Sequence, residues 1–301
     1  MTEQDPNVTF PHSRARVLWF LECWGLKRID AWGVSYITGA LVLVAHHNLT
    51  VQTFFLLLAI TANYWLGYWL NDYFDAPYDL GDERKARSNI FIQLPAVRGL
   101  VRWMVGAVLG LSVWVFFSFG MRGGFLLLVS YLIMWAYSAP PLRLKNKPGL
   151  DLLTHALFVQ SWPYAICMWL TGSGWTQLDY SLLGVSFLAS LNGQLNQQIR
   201  DFELDTLTDS NFATRMGLET TMLMLKISNF SMVSLFVFGV ASGWIPWLFV
   251  PLGLLGLPKV LYGMFHHLDR PVRAFPRSFM YIVMLLALAY MQGLIILDGI
   301  I

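Results

Sequence analysis

Charge is scarce in this sequence. Only 13% of its 301 residues are Asp, Glu, Lys or Arg, against about a quarter in an ordinary soluble domain, which argues against a soluble globule. Cysteine is nearly missing too. Cys23 and Cys167 fall in or beside apolar stretches, match no metal-ligand or redox spacing, and read as packing residues. No large excess of one sign exists either: the net charge is +2, so nucleic acid is not an expected partner. Finally, the first thirty residues lack a signal-peptide core. Glu3, Asp5, Arg14, Arg16, Glu22, Lys27, Arg28 and Asp30 interrupt any apolar run, so residues 1–30 are expected to stay as an N-terminal segment.

Hydrophobic residues are what remains, at 56% of the chain. Apolar segments run through 31–47, 51–70, 97–119, 123–138, 151–172, 178–198, 219–241, 244–263 and 274–297. A membrane-spanning helix needs about 20 residues, and these nine segments leave only short loops between them. The expected fold class is all-α: a polytopic membrane protein forming one domain, 1–301, of nine transmembrane helices. Gly106 and Gly110 in the third segment are expected to let neighbouring helices approach closely. With the N-terminus inside, all but Arg122 of the 20 Lys and Arg fall in cytoplasmic loops or at cytoplasmic helix ends, as basic residues prefer.

Half of the 18 acidic residues lie in two short windows, Asp72 to Glu83 and Asp201 to Asp209. These follow the second and sixth segments, equivalent places in two successive sets of four helices, and both face the cytoplasm in this topology. In the first window Asp72, Asp75 and Asp79 are spaced three and four apart, so a helix would point all three carboxylates within about 60° of one another. Pro77 disturbs that helix and would displace Asp79. In the second, Asp201 and Asp205 share a face, with Asp209 one turn on and Glu203 opposite. Repeated Asp at helical spacing beside membrane spans is expensive and usually functional.

Five convergent carboxylates repel unless a divalent cation binds. Mg²⁺ suits them, with Mn²⁺ as a substitute, because it takes oxygen ligands and bridges carboxylates to substrate phosphates. The substrate is then phosphorylated, and Arg84, Lys85, Arg87, Arg143, Lys145 and Lys147 would neutralise the remaining phosphate charge. A metal-held phosphate beneath an apolar helical interior points to a lipid diphosphate. Trp65, Tyr68, Trp69, Trp135 and Tyr137 are either π faces for a carbocation or part of the interfacial aromatic belt. His46, His47, His266 and His267 read as interfacial, with only Asp269 near the last pair as an acidic neighbour.

These motifs resemble those of the UbiA-type family of membrane prenyltransferases. NDYFDAPYD, Asn71 to Asp79, looks like the family's NDxxDxxxD motif, and DFELD, Asp201 to Asp205, like its second DxxxD motif. YSAPPLRLKNKPGLD from Tyr137 is similar to the loop after the fourth helix, and FATRMG, Phe212 to Gly217, to the segment after the second motif. The resemblance implies nine helices around a central cavity, Mg²⁺ on both motifs, and transfer of a prenyl group from its diphosphate to a lipophilic acceptor, whether aromatic, another ring or a polyene. Carried over, Asn71, Asp72, Asp75, Asp79, Asp201 and Asp205 would hold metal and diphosphate. Lys145, with Arg143, would bind diphosphate. Tyr137 and Ser138 would shape the site near the reacting carbon, and Gln198 joins the substrate-binding set. One departure is the segment ARSNIF, Ala86 to Phe91, where many members carry an Arg-Pro pair. The competing reading is a cation- or proton-coupled transporter, which would place its carboxylates near the midplane rather than at one face.

Overall fold

A computed structural model describes residues 29–81, 85–86, 89–93, 98–208, 210–265 and 277–298. The described residues are helical throughout, joined by turns. The helices are α1 (Ile29–Ala45), α2 (Val51–Asp79), a short α3 (Ile90–Gln93), α4 (Arg98–Phe117) and α5 (Gly120–Ser138). Then come α6 (Leu150–Ala156), a π-helical turn (Leu157–Ser161), α7 (Trp162–Thr171) and α8 (Gln177–Thr208), followed by a short α9 (Phe212–Met216), α10 (Leu218–Ala241), α11 (Val250–Phe265) and α12 (Arg277–Asp298). Among the described residues, each of the nine apolar segments falls mainly on helix. Five stretches, in α2, α5, α10, Trp247–Phe265 and Phe279–Asp298, are long and apolar enough to cross a bilayer, as expected of a multi-pass membrane protein. The apolar parts of α1 and α4 are shorter, the 151–172 segment is interrupted by the π turn, and α8 is long but too polar to qualify.

Local chemistry explains several boundaries. Thr50 and Thr53 form a reciprocal capping box at the start of α2. Gly172, at φ 69°, ends α7 in the left-handed conformation. Pro77 does not end α2: the helix continues to Asp79, because a proline in the last turn disrupts little helix after it. Pro163 acts upstream. It lacks the amide hydrogen that would satisfy a carbonyl one turn earlier, and the chain responds with the π turn. The Tyr64 hydroxyl of α2 donates instead to the Phe158 carbonyl and, at 2.6 Å, to that of Val159.

The helices form a ring. α1 packs on α2, α2 on α4, α4 on α5; the α6–π–α7 rod packs on α8, α8 on α10, α10 on α11, α11 on α12, and α12 returns to α1. Leu43, Leu56, Leu57, Phe116, Tyr164 and Met291 are among the fully buried side chains of the main apolar core. Gly184 permits the close α8–α10 approach: a Cβ there would lie 2.8 Å from Leu235. Gly106 and Gly110 have no such neighbour and are exposed, so they do not mediate a helix contact within the described chain, contrary to expectation.

At one end of the ring, Asp179 opens α8 completely buried and accepts hydrogen bonds from His46 Nε2, the Tyr164 hydroxyl, and both the amide and hydroxyl of Thr176, all at 2.7 Å. His47 Nδ1 lies 2.5 Å from Asp298. These two histidines are thus tied to carboxylates more than a hundred residues away, which sequence-local reasoning missed. His266 and His267 lie outside the described residues.

Candidate active site

The other end of the ring collects the acidic motifs. α2 runs 29 residues, about 20 of which suffice to cross a bilayer, so its last turns extend beyond the span and carry Asn71, Asp72, Asp75 and Asp79. The Asn71 amide donates to Asp75 at 2.9 Å. Into this pair reach three side chains, Ser138 from the end of α5 and Arg143 and Lys145 from the chain after it. Lys145 Nζ lies 2.7 Å from Asn71 Oδ1 and closer still to both Asp75 oxygens. Arg143 Nη2 donates to Asp75 at 3.0 Å, and its guanidinium sits 3.9 Å from the Tyr78 ring centroid. Ser138 donates to Asn71 at 3.3 Å. Arg143 holds φ 38°, a left-handed conformation costly for a side chain of this size. Asp72 is buried, and Asn89 Nδ2 spans from its carbonyl, 2.7 Å, to the Asp79 carboxylate, 2.8 Å. Burial pushes the Asp79 carboxyl above its ordinary value, opposed by the Asn89 hydrogen bond and reinforced by the neighbouring charge of Asp75.

The second motif lies at the end of α8. Asp201 and Asp205 are buried while Glu203 is exposed, as their helical phases require. Arg200 grips Asp201 through Nε at 3.2 Å and Nη2 at 2.9 Å. Lys85 and Asn211 hold the two oxygens of Asp205 at 3.1 and 2.9 Å. Lys85 also acts electrostatically on Asp79, so one ammonium charge acts on both motifs. Below them α8 carries one buried polar stripe, Ser190, Gln194, Gln198, Asp201 and Asp205, spaced four, four, three and four residues apart. Gln194 of this stripe lies near enough to Tyr137 to act on its hydroxyl, as do Asp151, Tyr68 and Asp75. Gln198 donates to the fully buried Asp151 at 2.6 Å and accepts from the Ala213 amide at 3.0 Å. Asp151 accepts also from the Phe212 amide at 2.8 Å.

The predicted residues therefore separate into linked groups. Asn71, Asp75, Ser138, Arg143 and Lys145 touch directly, and Asp79, Lys85 and Asp205 form the bridge. Gln198 contacts Asp151 rather than either motif. Arg84, Arg87 and Asp209 lie outside the described residues, and Lys147 is exposed. Trp69 is buried with Leu66, Ile90 and Val101 on the face of α2 turned toward α4, and Trp135 is exposed, so neither of these two is placed to meet a carbocation among the carboxylates. Asn89, Asp151, Gln194, Arg200 and Asn211 belong to the site without having been singled out. Asn211 had a legible signal, since it caps α9 in a box with Thr214; Asn89 is the polar residue inside ARSNIF. Among the described residues no three Asp, Glu, His or Cys side chains converge closely enough to hold a metal ion as they stand; amides and cations occupy much of their hydrogen-bonding capacity.

No protein-family model matches the chain. Among solved structures it is similar to a UbiA homolog from Archaeoglobus fulgidus bound to GPP and Mg²⁺, with a TM-score of 0.70 over 91% of this chain and 98% of that one at 17% identity. The chain has the UbiA fold. The same homolog bound to DMAPP and Mg²⁺ matches at a TM-score of 0.69, also at 17% identity, over 91% of this chain and 99% of that one. The UbiA fold accounts for the ring of helices and for α2 and α8 ending on the same side. A curated relative, a lycopene elongase/hydratase from Corynebacterium glutamicum, is 28% identical over 152 residues, 50% of this chain and 53% of the relative. The chain spans about half the length of the curated relatives it matches.

Proposed function

We propose that this protein is an intramembrane prenyltransferase that moves an isoprenyl group from an allylic prenyl diphosphate to a lipophilic acceptor, with Mg²⁺ and through an allylic cation. The observation that carries the reading is that Lys85, bound to Asp205 of the second carboxylate motif, also acts on Asp79 of the first, with Lys145 and Arg143 on the first, at one end of an apolar helical ring. The likeness in fold to a homolog solved with GPP or DMAPP and Mg²⁺ supports it. The partial likeness to a lycopene elongase/hydratase supports a polyene among the candidate acceptors.

The donor set fits a hard divalent ion. All six candidate ligands, Asn71, Asp72, Asp75, Asp79, Asp201 and Asp205, offer oxygen, and the Lys145 ammonium already sits among Asn71 and Asp75 as a cation would. Bound to these residues, Mg²⁺ would supply Lewis-acid stabilisation of the diphosphate leaving group. Lys85, Arg143 and Lys145 are the groups that the diphosphate charge would attract, and they stabilise it as it departs. Tyr137, immediately before Ser138 at the end of α5, is the residue whose π face would meet the allylic carbon. The apolar surroundings keep water from the allylic carbon, so an electron-rich acceptor carbon captures that cation before hydrolysis does. Purified protein should release pyrophosphate from dimethylallyl or geranyl diphosphate only when acceptor and Mg²⁺ are present. Cation uptake into vesicles without pyrophosphate release would favour the transporter instead.

A further inference from the structure

We propose that His155 is the base that removes the final proton from the acceptor, an assignment that rests on the prenyltransferase reading. His155 stands on α6 one turn beyond Asp151 and immediately before the π turn. Its Nδ1 lies 3.1 Å from the Ser190 carbonyl of α8. A carbonyl only accepts, so Nδ1 carries the hydrogen and Nε2 keeps its lone pair. Among the described residues Nε2 makes no hydrogen bond. The imidazole is thereby held in one tautomer by α8, with Nε2 making no hydrogen bond among the described residues.

Its depth matches the task. Ser190 begins the polar stripe of α8, one turn below Gln194 with its Tyr137 partner and three turns below Asp201. Asp151, one turn earlier on α6, meets Gln198 of α8, and His155 meets Ser190, eight residues further from the carboxylates on α8, so His155 lies along the stripe on the membrane side of the diphosphate site. An acceptor carbon that attacks the allylic carbon must approach to about 3–3.5 Å, which places the acceptor on that same side. The electron balance then reads as follows for an alkene acceptor. The C–O bond to diphosphate breaks, the acceptor's double bond forms the new C–C bond, and a tertiary cation remains on the acceptor. The adjacent C–H bond breaks, its electron pair closes a new double bond, and its proton goes to His155 Nε2. Without that base, water adds to the same cation and loses a proton, which yields a tertiary alcohol.

The test uses the full chain in lipid nanodiscs with dimethylallyl diphosphate, lycopene and Mg²⁺, with pyrophosphate release and the alkene-to-alcohol product ratio read together. His155→Gln keeps an amide donor for the Ser190 carbonyl but removes the basic nitrogen. Its pyrophosphate release should fall less than about threefold while the alkene-to-alcohol ratio falls at least about tenfold, within the range that a general base contributes. His155→Ala should show the same shift, and added imidazole should restore the alkene. An unchanged ratio in His155→Gln, or no restoration by imidazole, overturns the assignment of the base alone. A wild-type protein that releases no pyrophosphate overturns the prenyltransferase reading, and one that releases it without forming a lycopene product overturns the alkene acceptor and its base.

Discussion

Asp201, Glu203 and Asp205 occupy little more than one helical turn yet two environments, since the aspartates are buried against Arg200, Lys85 and Asn211 while the glutamate meets solvent. Substitution should follow that division. Asp201→Ala or Asp72→Ala should lower kcat by about 10²–10³, the usual cost of losing a preorganised charge contact, whereas Glu203→Ala should stay within about twofold. Steady-state kinetics on the three variants checks this, and equal loss at Glu203 would contradict the facing of α8. Lys145→Ala should raise KM for the diphosphate and lower kcat together, because its ammonium touches Asn71 and Asp75 and would contact the leaving group throughout. This phase was legible in the sequence because 100° per residue fixes which carboxylates share a face. The partners were not: nothing local announces that Lys85 reaches Asp205, 120 residues away, or that Asn89 spans Asp72 and Asp79.

Among elements, length and hydropathy were enough to find the nine helical segments, because a bilayer demands long apolar runs and the loops are short. Interruptions were harder. Pro77 was expected to disturb α2, which nevertheless runs on to Asp79, while Pro163 follows a π turn two of whose carbonyls accept from Tyr64 of a different helix. A long-range contact of that kind leaves no periodic trace. The junction at Asp179 is of the same sort, joining α1, α7 and α8 through His46, Tyr164 and Thr176. Asp179→Leu should destabilise the protein by about 1–3 kcal/mol, since the buried Tyr164 hydroxyl loses its acceptor together with the donors of His46 and Thr176. Thermal unfolding in detergent would measure it, and pyrophosphate release at temperatures well below the transition should persist, because the junction lies at the far end from the carboxylates. Cysteines placed at Gly81 and Thr206, both exposed, should be labelled by an impermeant reagent from the same side of the membrane, the cytoplasmic one by the distribution of basic residues. Labelling from opposite sides would separate the motifs and end the shared-site reading.

For the whole molecule, ring closure between α12 and α1 brings the ends of α2 and α8 to one face, so the chemistry belongs to the assembly rather than to any helix. EDTA should abolish turnover, and Mg²⁺ or Mn²⁺ should restore it. A donor carrying fluorine near the allylic carbon should slow single-turnover reaction by about two orders of magnitude with little change in affinity, because fluorine destabilises the cation far more than the ground state. A fluorinated donor that reacts as fast as its parent would require direct displacement. The stripe from Ser190 to Asp205 also bears on how the protein reaches the membrane at all. Hydroxyl and amide side chains along the length of α8, with carboxylates at its end, make solitary partitioning from the translocon unfavourable, so α8 has to wait beside the channel until α6 and α10 offer partners. Its insertion is then a late, collective step, and a truncated nascent chain ending before α10 should leave α8 exposed to the quality-control machinery even though most of the substrate-binding residues have already been synthesised.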